Sequence, residues 1–185
     1  MKNFLVIFSS ILVLSVIGLT IANNNKALKI DDTTFTLKYS NCDGKKQSCL
    51  NEYYKKDEKD KEWTELFTIV YEKTTDNPID FARALADQVE MADVSINYQD
   101  NYALVLFLIP YENDNGESMI EQNMAKVMKY DKGDGIVSQQ YAIRVKSGSN
   151  KQETADTLEN NFKKYLPTIA ETPVQKVYLK PLEKW

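Results

Sequence analysis

Histidine is absent from the 185 residues. That removes Ser-His-Asp and Cys-His catalysis and every zinc site built on imidazole. Arginine occurs only twice, at Arg83 and Arg144, and the net charge is −4. No basic block runs through the chain. Nucleic-acid binding needs clustered Lys and Arg against phosphate, so no nucleic-acid partner is expected. Cysteine is nearly absent as well. Cys42 and Cys49 are the two present, too few for a closed metal site and not spaced as a Cys-x-x-Cys redox pair. In an oxidising compartment two neighbouring cysteines form a disulfide. Closing so short a loop stabilises a domain by about 2–3 kcal/mol on the chain-entropy view.

Phosphate-cradling and nucleophile-elbow motifs are missing too. No Gly-x-Ser-x-Gly or Ser-x-x-Lys occurs. Gly133-Asp134-Gly135 has no Gly-Lys-Ser/Thr behind it and reads as a turn. Asp114-Asn115-Gly116-Glu117 shares a few residue types with a calcium loop but lacks the ligand series, so an Asn-Gly turn is the simpler reading. Neither a metal nor a cofactor is expected.

What the sequence does have begins at its N-terminus. Met1-Lys2-Asn3 precedes an uncharged apolar run from Phe4 to Ala22, and Lys26 is the next charged residue. This is the pattern of an export signal. Thr20 and Ala22 suit the small positions before a cleavage site at Asn23. The run is also just long enough to span a bilayer, so residues 1–22 read as a signal peptide or a signal anchor. Membrane contact is expected only through residues 4–22, if they are not cleaved. The destination is extracytoplasmic, periplasmic or secreted. About 160 residues follow, enough for one domain with a core.

Residues 23–34 form a polar lead-in. Phe35 to Tyr39 alternates as a strand, Asn41 to Ser48 turns, and Cys49 to Tyr54 is extended again. The mixed charges of Lys55 to Glu62 read as a solvated turn. Trp63 to Tyr71 is a strand with apolar groups on both faces, as a central strand covered on two sides would have. Asn77-Pro78-Ile79-Asp80 starts a helix: Asn77 caps, Pro78 suits the first position and Asp80 the positive end of the dipole. Ala82, Leu85, Ala86 and Val89 continue it to about Met91. Val94 to Tyr98 and Tyr102 to Ile109 are strands. Met119 to Tyr130 fits helix or strand, and its C-terminal part is assigned to strand because Asp131 to Gly135 forms a hairpin turn. Val137, Gln139, Tyr141, Ile143 and Val145 line one mostly apolar strand face. Asn150 to Glu153 is a capping box, and Ala155, Leu158, Phe162, Tyr165, Leu166 and Ile169 repeat at helical spacing. Pro167 is expected to stop that helix near Leu166. Residues 171–185 form an irregular tail.

The fold class is therefore α+β: an antiparallel sheet of six to seven strands with two main helices packed on one face, in a single domain over residues 35–170. This element order, with a Trp-led strand before an Asn-Pro-capped helix, resembles the fold of the photosystem PsbP proteins and the bacterial periplasmic DcrB-like proteins. Leu50-Asn51-Glu52-Tyr53-Tyr54 followed by Trp63-Thr64 resembles a family of small exported bacterial proteins without an assigned activity. Neither resemblance brings a catalytic residue with it.

Eleven tyrosines stand out. Tyrosine is both a strand residue and an interface residue, and Tyr53, Tyr54 and Trp63 are the candidate aromatics of a binding face. Two functions follow. One is a non-catalytic binding or assembly module with an envelope protein as partner. The other is a His-free hydrolase using paired carboxylates drawn from Glu52, Glu65 and Glu72.

Overall fold

The computed structural model describes residues 27–177, apart from residues 31, 46, 59–61, 98–100, 132, 149 and 176. The export segment 1–22, the first part of the lead-in, Tyr98 and the tail beyond Val177 lie outside the described residues.

The elements run β1 Ala27–Ile30, β2 Thr33–Cys42, β3 Ser48–Lys55, β4 Glu65–Glu72, α1 Pro78–Ala86, β5 Ala92–Asn97, β6 Tyr102–Glu112, β7 Ser118–Lys129, β8 Ile136–Lys146 and α2 Lys151–Glu171. The eight strands make one sheet in the order β1-β2-β3-β4-β8-β7-β6-β5, and each neighbouring pair is antiparallel. Two meanders, β1–β4 and β5–β8, thus join through β4 and β8, with Phe67 opposite Tyr141 and Ile69 opposite Gln139. The strand count exceeds the expected six to seven because β1 lies inside the polar lead-in. Its four residues, paired with Thr33–Thr36, are too few to show a period. β7 is strand throughout, and its central residues from Gln122 to Met128 are buried on both faces, which removes the alternation that would have separated strand from helix.

The expectation of two helices on one face is wrong; they cover opposite faces. Phe81, Ala82 and Leu85 of α1 pack on Ala103, Val105, Phe107, Ala125, Val127 and Ile136, the first face. On the second face Ile169 of α2 joins Met124, Met128, Val137, Tyr141 and Ile143, with Phe162, Tyr165 and Leu166 half-buried beside it. The cause is the period of two: Met124 and Ala125 point to opposite sides, and both sides are apolar. α1 is the crossover that carries the chain from β4 in the middle of the sheet to β5 at its edge. It therefore takes one face and leaves the other for α2.

Helix ends follow their local chemistry. Asn77 Oδ1 accepts the Ile79 N–H at 2.8 Å, and Pro78 occupies the first turn. α1 stops at Ala86 rather than Met91: Gln88 N–H and Val89 N–H bond to Leu85 and Ala86 carbonyls in tight three-residue turns, and the Gln88 amide takes the Ala84 carbonyl. α2, in contrast, runs through Pro167 to Glu171. Proline removes one bond, to the Lys163 carbonyl. The following turn survives because Ile169, 1% exposed, is set in the core. Ile169→Ala should cost about 2–4 kcal/mol and Leu158→Ala, half-buried, about 1 kcal/mol; chemical denaturation of the two variants checks the order.

Cys42 and Cys49 face each other in the β2–β3 register and are disulfide-bonded, with Cα atoms 4.1 Å apart. At the same end of the sheet, where Cys49 is opposite Tyr71 and Tyr71 opposite Val137, the β7–β8 turn packs tightly on β4. Tyr71 hydroxyl donates to the Asp134 carbonyl at 2.6 Å. Gly135 has φ +135°, and a Cβ there would lie 2.3 Å from the Glu72 carbonyl oxygen. Gly135→Ala should cost about 2 kcal/mol or more through that backbone clash, whereas Gly133→Ala, 3.5 Å from a Tyr130 side chain, should be tolerated; thermal unfolding of the pair makes the comparison.

Candidate functional site

Beneath α2 the second face carries three buried polar side chains among its apolar ones: Gln122 and Lys126 from β7 and Gln139 from β8. Lys126 and Gln139 are opposite each other in register. A buried polar group is costly unless it is hydrogen-bonded, and each of these reaches the α2 segment. Gln122 Nε2 donates to the Leu158 carbonyl at 2.7 Å, and Asn161 Nδ2 donates to Gln122 Oε1 at 3.0 Å. Lys126 Nζ donates to the Ala170 carbonyl at 2.5 Å and to the Thr172 carbonyl at 3.1 Å. It lies 4.7 Å from the centre of the Tyr102 ring. α2 has no basic residue in its last turn, so Lys126 supplies from the sheet the cation that a helix C-terminus favours.

Past α2 the chain continues as a strap, residues 172–175, laid across β8. Gln139 holds it from two sides. Its Nε2 donates to the Pro173 carbonyl at 3.2 Å, and its Oε1 accepts the Gln175 N–H. Val177 then enters the core.

Where α2 ends, a cleft of about 600 Å³ opens between helix and sheet, lined by Asn101, Tyr102, Lys126, Met128, Lys129, Pro167, Ala170, Glu171 and Val174. Its volume falls in the range of small-molecule sites. One wall is sheet (Tyr102, Lys126, Met128). The other is α2 and the strap. The walls mix apolar side chains (Tyr102, Met128, Pro167, Ala170, Val174) with Asn101, Lys129, Glu171 and the buried Lys126. Such a site can hold an apolar body with a polar end.

The anticipated aromatics lie elsewhere and do not form one face. Tyr53, 2% exposed, packs edge-to-face on Phe67 on the second side of the sheet. Tyr54 and Trp63, each 4% exposed, cluster with Leu66 and Ala142 on the first. The Trp63 ring is covered by the Arg144 guanidinium at 3.7 Å. Adjacent residues of a strand point to opposite sides, so Tyr53 and Tyr54 are not neighbours in space.

The candidate carboxylates do not converge either. Glu65 lies on the second side, 2.5 Å from Lys55 Nζ, and accepts the Tyr141 hydroxyl. Burial, and then this bond, hold the Tyr141 hydroxyl well above its usual pKa. Glu52 and Glu72 are on the first side, bonded to Tyr54 at 3.3 Å and to Ser48 at 2.8 Å. Their register positions, four residues apart along the strands, put them about 13 Å from each other, beyond the spacing of glycosidase pairs. Glu117, in the turn that shares residue types with a calcium loop, is bonded to Asn113 and Lys146. No group of acidic or sulfur ligands among the described residues is placed to hold a metal.

The signal for the polar row was legible in part. Gln139 interrupts an otherwise apolar strand face, and an inward polar residue implies a partner. Lys126 and Gln122 sat in the segment whose period was ambiguous.

The structure thus defines an α+β domain of one fully antiparallel sheet, disulfide-bonded near one end and covered by a helix on each face. A model of an uncharacterised protein family matches residues 22–174, most of the chain, and the chain belongs to that family. No curated protein and no solved structure matches, so the likeness to PsbP and DcrB-like proteins finds no support there.

Glu72 yields a pH expectation. Burial raises its pKa above the usual 4.5, and the Ser48 hydrogen bond offsets this only in part. The folded protein therefore keeps the proton to higher pH than the unfolded chain, and stability falls as pH rises from about 4.5 through the raised value. Glu72→Gln keeps an acceptor for Ser48 and removes the charge. It should stabilise the domain at about pH 7 and have little effect at about pH 3, as read by urea unfolding at the two pH values; equal effects at both would contradict this.

Proposed function

We propose that this chain is exported and acts outside the cytoplasm as a binding module at the cell envelope, with the cleft at the end of α2 as its ligand site. The cleft is the observation that carries the reading: a space of about 600 Å³ between the sheet and α2, lined by apolar side chains together with Asn101, Lys129, Glu171 and the buried Lys126. Export is supported by the apolar run of residues 4–22, by a family match that begins where this run ends, and by the Cys42–Cys49 disulfide, which belongs to an oxidising compartment. Among the described residues no helix is long and apolar enough to cross a membrane.

The test is a fluorescence titration of the full chain with anilinonaphthalene sulfonate, an aromatic body with one anionic end. One saturating site is expected. Ala170→Trp, which fills the cleft from the helix wall, should weaken binding about tenfold or more. Ala84→Trp on the exposed side of α1 should leave it unchanged. Absence of saturable binding, or binding indifferent to Ala170→Trp, would remove the cleft as the site.

A further inference from the structure

The two helices are attached to the sheet by different means. α1 buries five of its nine residues, Pro78, Ile79, Phe81, Ala82 and Leu85. α2 buries one of 21, Ile169. Phe162, Tyr165, Leu166 and, in the strap, Val174 pack against the core from half-buried positions, and Val177 just beyond the strap is buried; the other contacts are polar. Gln122 holds the middle of α2, Lys126 its last turn, and Gln139 the strap, all through main-chain groups of the α2 segment. Apolar burial is lost outright when a helix lifts away. Hydrogen bonds to water replace most of what a lifted polar contact gives up. An interface of this composition opens at a lower free energy than one of the same length built from buried apolar side chains.

The same segment forms one wall of the cleft: Pro167, Ala170, Glu171 and Val174 face Tyr102, Lys126 and Met128. Displacing it widens the cleft along the second face, toward Met124, Val137 and Tyr141. The capped N-terminal end, where Asn150 Oδ1 accepts Gln152 and Glu153 N–H groups, follows directly on β8 and stays in place. Travel is therefore confined to the stretch between this capped end and Val177, which is set in the core, beside the cleft.

We propose that the C-terminal half of α2 and the strap are a hinged lid over the cleft, latched by Lys126 and Gln139, and that ligand enters when this latch releases. The proposal rests on the cleft being the binding site, but the lid's movement can be measured without any ligand.

Native-state hydrogen exchange on the full chain is the first arm. The amides of residues 162–171 should exchange at least tenfold faster than those of β7 and β8 around Met124 and Tyr141, while α1 amides exchange with the sheet. Lys126→Ala and Gln139→Ala, which remove the latch without adding apolar contact, should speed exchange in 162–171 by a further fivefold or more, with a smaller change in β7 and β8. Exchange of α2 at the same rate as the central strands, or equal acceleration everywhere, would show that α2 opens only on global unfolding and would overturn the lid. The second arm is the association rate of anilinonaphthalene sulfonate by stopped flow. Both latch variants should accelerate it severalfold. An unchanged rate in variants whose α2 exchange has risen would overturn the gating. Failure of the probe to bind at all, with the exchange pattern as expected, would instead fall on the cleft as ligand site.

Discussion

The pairing of β4 with β8 joins two four-stranded meanders into one sheet, and it forces both faces of that sheet to be covered. Phe67, Ile69 and Tyr71 point to one side, with Leu66 and Val70 on the other, all of them buried. A sheet exposed on either side would leave a broad apolar surface in water. With two helices available among the described residues, each takes a face. The crossover from β4 to β5 fixes which, because the chain leaving the sheet's centre carries α1 over the first face. α2, following β8 from the same central position, closes the second.

Most of the element order was readable because the local signals were strong and agreed with one another. Asn77-Pro78 started α1 and Asn150 capped α2. Cys42 and Cys49 flanked a turn, and β3, β4, β6 and β8 carried recognisable strand patterns. The misses share a physical origin. β1 is shorter than any period can reveal. Pro167 is unfavourable locally, yet Ile169 and Lys126 hold the turn beyond it; tertiary contacts overrode propensity. The arrangement of the helices was implicit in β4: a strand apolar on both faces implies cover on both.

The site was less legible, and for a different reason. Tyr53, Tyr54 and Trp63 are conspicuous as residue types, but conspicuous aromatics in strands are most often packed, and here all three are. The residues that shape the cleft come from β6, β7, α2 and the strap, which are distant in sequence. Only Gln139, a polar residue at an inward position, marked the place where the sheet addresses something other than a core.

That substitution of polar for apolar residues under α2 is the point on which fold and function meet. A leucine at Gln122 or Gln139 and a methionine at Lys126 would fill similar volumes. They would leave the Thr172 carbonyl and the Gln175 N–H without the partners the sheet now supplies, but they would bury α2 more firmly if the strap found water instead. The existing arrangement exchanges depth of burial for directional contacts. Such contacts fix where the helix end and the strap lie, because they are made to particular main-chain groups, while their net contribution remains about 1 kcal/mol apiece. α1, whose attachment is apolar, has no comparable need for register. A lid has to return to one closed position and still be able to leave it. The polar row of Gln122, Lys126 and Gln139 meets both requirements, whereas a fully apolar seam would meet the second poorly.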